Sequence, residues 1–153
     1  MGASDYRLKI ELVPATSWGN NLRGLLKRAE WDKIRKKVYA LANYKCEICG
    51  GVGKKHPVEC HEKWCYDDVN HTQTLVGLIA LCPKCHGVCH IGNSLHTKRF
   101  PSVFKHFMAI NNISEPEAQI YLSEIFQIWE SRSNYEWNLD VLWLGDFVKT
   151  LNE

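Results

Sequence analysis

Two CxxC pairs, Cys46-Glu-Ile-Cys49 and Cys82-Pro-Lys-Cys85, constrain the fold of this chain more than any other feature. Their spacing is C-x2-C-x32-C-x2-C. Zinc prefers four thiolates in tetrahedral geometry, and an all-cysteine site of this kind is closed and structural. The 32 intervening residues must therefore fold back so that the pairs meet. A redox role for either pair would need a βαβ context, which the flanking sequence does not offer. The chain has seven cysteines, an odd number, so a disulfide framework is not the natural reading. Cys60, Cys65 and Cys89 read as ordinary buried or half-buried thiols.

A second set of potential ligands surrounds the same motif. Glu59-Cys60-His61-Glu62 lies between the pairs, and the second pair runs directly into His86 and then His90. His86 and His90 stand four apart, which places them on one face of a helix. A lone histidine is usually a satisfied core or surface residue. Three of the seven histidines in one short unit, two of them at helical spacing, suggest an open metal or catalytic site beside the closed one.

The 153 residues suit one domain with a core of ordinary size. Within that single domain, residues 44–92 form the ligand-bearing core, and 93–153 form a C-terminal helical extension. No run of 18 apolar residues is present, which excludes a membrane-spanning helix. The first twelve residues lack the apolar stretch of a secretory signal, and a cytoplasmic location is expected. The net charge of +2 conceals an asymmetry: residues 1–56 carry +7, residues 57–113 carry +1 and residues 114–153 carry −6. A basic N-terminal part beside a metal site suits a polyanion. Lys33, Lys36 and Lys37 are the candidate phosphate contacts, and the alternative for them is a solvated helix face.

Periodicity gives the elements. Arg7–Val13 alternates Leu8, Ile10 and Leu12 against Arg7, Lys9 and Glu11, the pattern of a half-buried strand. Residues 21–43 read as helix, broken near Ala29, with Trp31, Ile34, Val38 and Leu41 on one face. Val58–Cys65 and Thr74–Leu81 read as strands joined by a polar turn at Asp67, Asp68 and Asn70. Pro83 opens a short helix ending near Gly92. Ser102–Asn111 is a further helix, and Ser114-Glu-Pro-Glu117 is a capping box that starts another running to about Ser133. Glu136–Leu144 alternates around Trp137, Leu139 and Val141. Isolated strands leave backbone groups unpaired, so the simplest arrangement pairs this last strand with Arg7–Val13. The expected fold is α+β: a ββα core held by the four-cysteine zinc site, flanked by N- and C-terminal helices and a small terminal β pair.

The segment Glu59-Cys60-His61-Glu62, followed by Leu81-Cys82-Pro83-Lys84-Cys85-His86 and then His90, resembles the HNH endonucleases, the ββα-metal or His-Me finger group. The resemblance covers about residues 44 to 92. Residues around Trp18, Asn21-Leu22-Arg23 and Trp31-Asp32 are also similar to bacterial HNH proteins, which favours a bacterial or phage source. The resemblance implies a metal-dependent endonuclease acting on DNA, with RNA left open. His61 would be the general base that activates water, and His86 and His90 would be ligands of a divalent cation. That cation would be Mg2+ or Mn2+ if carboxylate and water dominate, and Zn2+ or Ni2+ if imidazole does.

The chain departs from the family pattern at two places. Cys60 stands where the family has a ligand, so Glu59 would substitute; in a shifted register His61 is the ligand and Glu62 the base. Gly77 stands where the family has its central Asn, with Asn70 and Gln73 as candidate replacements. The alternative function is a zinc-stabilised nucleic-acid-binding module without catalysis.

Overall fold

A computed structural model describes residues 5–152. In chain order its elements are α1 (Leu22–Leu25), α2 (Arg28–Leu41), β1 (Glu59–Asp67), β2 (Thr72–Leu81), α3 (Pro83–Cys89), α4 (Phe100–Asn111), α5 (Glu115–Arg132), β3 (Asn138–Asp140) and α6 (Leu142–Thr150). The class is α+β, a three-stranded sheet with helices on both sides. No helix among the described residues is long and apolar enough to cross a membrane.

The sheet is built on the hairpin β1–β2, which pairs antiparallel from Glu59↔Leu81 to Asp67↔Thr72. Asp67 makes the turn: its carboxylate accepts from the backbone N–H groups of Val69 and Asn70 and from the Asn70 side chain. His71 completes the reversal at positive φ. The register shifts between Lys63 and Trp64, where β2 carries an extra residue, Val76. Gly77 sits beside this bulge, opposite Lys63, where the missing side chain tolerates the distortion.

The two faces of the hairpin bury different partners. Leu81 and Ile79 pack towards α3, α4 and α5, in a core that includes Val88, Phe104, Phe107 and Tyr121. Cys60 and Leu78 face the other way, towards Trp31, Ile34 and Val38 of α2 and Phe147 of α6. Period-2 alternation in β1 therefore sends His61 to one side and Glu62 to the other. α2 begins only at Arg28, because Leu26 and Lys27 are extended, so the expected break falls slightly earlier than Ala29.

The terminal β pair is corrected by the structure. Arg7–Val13 keeps its alternation, with Leu8 and Ile10 buried and Arg7 and Lys9 exposed, but it joins no sheet. Its backbone groups are satisfied by other means. Asn111 accepts from the Leu8 N–H and donates to the Leu8 carbonyl, the Tyr121 hydroxyl accepts from the Ile10 N–H, and Glu11 N–H donates to the Cys89 carbonyl. Helical side chains do here what a neighbouring strand would do. The C-terminal strand is also shorter than its pattern implies. β3 spans three residues and pairs parallel with the start of β2, at Thr72↔Asn138 to Thr74↔Asp140. The chain then turns into α6, a helix the alternating pattern hid.

Candidate metal and catalytic site

The four-cysteine cluster forms where the knuckle after α2 meets the start of α3. Gly50 adopts φ +74 and lets the chain reverse after Cys49. Glu47 fastens this turn to the sheet, its N–H donating to the Ala80 carbonyl and its carboxylate accepting from the Ala80 N–H. Cys82 caps the N-terminus of α3, and Pro83 occupies its first turn. The Sγ atoms of Cys46, Cys49, Cys82 and Cys85 lie within 4.8 Å of one another, a group able to hold a metal such as zinc.

Four converging thiols are a donor set for a metal held by thiolates, although burial, and at Cys85 the neighbouring sulfurs, raise the pKa values of Cys82 and Cys85. Backbone N–H groups of Cys49, Gly51 and Cys85 point at Cys46, Cys49 and Cys82 sulfurs at 3.5, 3.3 and 3.4 Å. Burial opposes ionisation of Cys46, but these and neighbouring hydrogen bonds outweigh it and lower its pKa to about 7. His106, which the sequence offered no reason to single out, places Nε2 3.2 Å from Cys85 Sγ. The remaining cysteines lie outside this cluster: burial pushes the Cys60 thiol up to about 12 and raises that of Cys89, whose sulfur lies within 4.8 Å of ligand atoms of Glu11 and His61, while Cys65 is exposed.

The histidines assemble on the adjoining surface. α3 carries Cys85 to the thiol cluster and His86 on another face, and its C-cap residue His90 joins His86 beside His61 of β1. The ring centroids of His61, His86 and His90 lie 4.8 to 5.2 Å apart, and their ligand nitrogens lie within 4.8 Å of one another. Burial depresses the pKa of His86 and takes that of His90 down to about 4, so both are neutral imidazoles near pH 7.

Carboxylates orient two of these rings. Glu59 accepts from His86 Nδ1 at 3.0 Å and from His56 Nε2 at 2.9 Å. Burial disfavours its charge, but the two hydrogen bonds prevail and hold the carboxyl below its ordinary range. Glu59 thus stands behind His86 and frees Nε2 of that ring. Glu11 accepts a short hydrogen bond from His61 Nε2. Its pKa is lowered in the same way, burial being outweighed by His61. Glu11 thus occupies the Nε2 side of the His61 ring, and His61 Nδ1 is buried without a protein partner. Sequence reasoning placed Glu11 on a solvent face; folding turns it inward.

Glu62 projects from the opposite side of β1. It accepts from the Leu22 N–H at 2.9 Å, at the start of α1, and burial raises its pKa. Of the two candidates for the central Asn position, Asn70 is exposed and tied to Asp67. Gln73 is fully buried, and neither of its amide atoms has a protein partner. Lys33 and Lys36 are exposed and Lys37 half-buried on α2.

His61, His86, His90, Glu11, Glu62 and Gln73 all line one cleft of about 830 Å³, a size typical of ligand sites. Arg23 lines it too, a cation the charge count did not distinguish, whereas Lys33, Lys36 and Lys37 do not. Comparison with family models, curated proteins and solved structures finds none that matches the chain.

Proposed function

We propose that this cleft hydrolyses phosphodiester bonds in DNA with the help of a divalent metal, in the manner of the HNH endonucleases that the motif resembles. The observation that carries the reading is the convergence of His61, His86 and His90 on one wall of a cleft that also holds half-buried carboxyls and a cation. Rings held from behind by Glu11 and Glu59 are suited to a metal, and an imidazole-rich site favours Zn2+ or Ni2+ over a hard ion such as Mg2+ or Mn2+. His61, His86 and His90 would hold such a metal, which would supply Lewis-acid polarisation of the scissile phosphate and charge to steady the leaving 3′ oxygen. Zinc on Cys46, Cys49, Cys82 and Cys85 is assigned the structural role.

The sequence leaves His61 open between base and ligand. Its Nδ1 is buried and its ring touches those of both His86 and His90, which favours the ligand role. The base is then Glu62. Its raised pKa brings it closer to the range in which a carboxylate takes a proton from water near neutrality. Arg23 supplies charge to an incoming phosphate.

Plasmid cleavage by the pure protein, with Mg2+, Mn2+, Ni2+ or Zn2+ added in turn, tests the reading. Glu62→Gln keeps an oxygen to accept from Leu22, so the fold should survive while the rate falls by about 10²–10⁴. His61→Ala, His86→Ala and His90→Ala should each weaken the response to added metal. A wild-type rate in Glu62→Gln, with His61→Ala inactive yet metal-replete, would make His61 the base. Nucleic-acid binding without cleavage in any metal would replace the enzyme reading by the non-catalytic module.

A further inference from the structure

The four clustered sulfurs are not supplied with hydrogen bonds alike. Three of them accept from backbone N–H groups: Cys46 Sγ from Cys49, Cys49 Sγ from Gly51 and Cys82 Sγ from Cys85, at 3.5, 3.3 and 3.4 Å. The first pair gains both donors because the chain reverses after Cys49. Gly50 takes φ +74 there, and the Gly51 N–H turns back onto the knuckle. The second pair has no such reversal, because it runs straight into α3. Helical N–H groups are directed at carbonyls four residues back, as that of His86 is at the Cys82 carbonyl. Among the described residues, no backbone N–H donates to Cys85 Sγ.

Cys85 is also the sulfur with the greatest need of a donor. It is fully buried, and burial and the other three sulfurs oppose its thiolate form. Its polar neighbour outside the cluster comes from a different helix: His106 of α4 places Nε2 3.2 Å from Cys85 Sγ. Phe104 and Phe107 anchor α4 in the same core as Val88 of α3, which fixes the ring's approach. The group of mutually close ligand atoms comprises the four sulfurs without His106, so the ring stands behind Cys85 and is not a fifth ligand.

We propose that His106 is a positioning residue of the four-cysteine metal site, its Nε2–H donating to the Cys85 thiolate in place of the backbone N–H that the other three sulfurs receive. Four thiolates around a divalent cation leave a net negative charge in a buried place, and each N–H donor spreads part of it. The contact also ties α4 to the cluster. Asn111, on the same helix, holds the Leu8 backbone, so α4 links the thiolates to the segment that brings Glu11 to His61. The inference rests on the metal reading of the four cysteines and is independent of the nuclease reading.

Cobalt in the full-length protein provides the test. Thiolate-to-cobalt charge-transfer bands report the cysteines, whereas imidazole ligands give none. His106→Phe keeps the bulk of a ring without its donor, and His106→Gln keeps an N–H donor. In His106→Phe the bands should move to lower energy, because a thiolate without its hydrogen bond gives up an electron more readily. Zn2+ affinity, read by chelator competition, should fall by about 10–100-fold, and His106→Gln should restore most of both. Wild-type protein gives a reading that no variant's folding can obscure: with Cd2+ bound, nitrogen NMR of labelled histidine should find the His106 ring protonated at Nε2. If His106 only packs α4 against α3, His106→Phe will lower the melting temperature and leave the bands and the affinity at their wild-type values. That result overturns the inference, as does a bare Nε2 in the Cd2+ form or a His106→Gln as weak as His106→Phe. Absence of charge-transfer bands in the wild type removes the metal reading and the inference together, whereas bands indifferent to His106 keep the metal and reject the assignment.

Discussion

Glu11 and His61 lie 50 positions apart in the chain and share a hydrogen bond at the centre of the candidate site. A carboxylate behind a metal-binding imidazole fixes its tautomer and strengthens it as a ligand, an effect typically worth about 10–100-fold in affinity. Glu11→Gln should therefore weaken divalent metal binding at the histidines within that range, measured by competition with a chromogenic chelator. The metal on the four cysteines should be unchanged, and equal affinity in the variant would remove Glu11 from the site. His90 gives a pH signature of the metal-free histidines. In the folded protein its pKa is lowered to about 4, against an ordinary 6.5. The unfolded chain therefore binds more protons than the folded one between those values, and stability present above pH 6.5 is lost as the pH falls towards 4. His90→Gln should flatten that part of a stability–pH curve obtained by denaturant titration. An unaltered slope would show that His90 is not the group responsible.

At the scale of elements, α3 connects the two candidate sites. Its seven residues carry Cys85 and His86 in direct succession, with Cys82 as the cap. So short a helix has little stability of its own, since nucleation is unfavourable and few backbone bonds repay it. Its orientation then depends on the thiolate cluster at one end and on Val88 and Cys89 in the core. If the four cysteines hold zinc as proposed, Cys82→Ser should release it, lower the melting temperature sharply, and also abolish metal binding by His86 and His90, although neither histidine is altered. Elemental analysis and thermal unfolding read the two effects. Full zinc content in the variant, or intact histidine-site binding after zinc loss, would separate sites that the helix is here argued to couple.

Across the whole molecule, charge and site are arranged differently from what composition suggests. The basic N-terminal part contributes Arg23 to the cleft, while Lys33, Lys36 and Lys37 lie on α2 away from its lining. Under the proposed function, a polynucleotide reaching the cleft would meet Arg23 directly and the lysines only if it extends across α2. A Lys33/Lys36/Lys37 triple alanine should then flatten the salt dependence of nucleic-acid binding by up to about three phosphate contacts, each worth a slope near 0.7–0.9. A slope equal to wild type would return the three lysines to a solvated helix face. Arg23→Ala should reduce affinity in either case.

The sequence by itself determined what depends on local pattern. Cysteine spacing announced a thiolate cluster, because four ligands must converge whatever lies between them. Period-2 and period-3.6 alternation located β1, β2 and α2, and the capping box at Ser114 located the start of α5, since backbone geometry imposes those spacings directly. His61, His86 and His90 were legible as a group because two are one helical turn apart and the third lies on the adjacent strand. Tertiary structure decided the rest. Arg7–Val13 has a strand's alternation because one side of it is buried, but alternation does not say what satisfies the backbone; Asn111 and Tyr121, about a hundred residues away, do so without a ladder. The same burial turned Glu11 towards His61, and the fold of α1 against β1 gave Glu62 to the Leu22 N–H. α6 escaped because its first residues continue an alternating run. The indoles of Trp18 and Trp129, far apart in the chain, donate to one carbonyl, that of Val13. Contacts between residues distant in the chain leave no period in the sequence, and at this cleft they settle which side chains face one another.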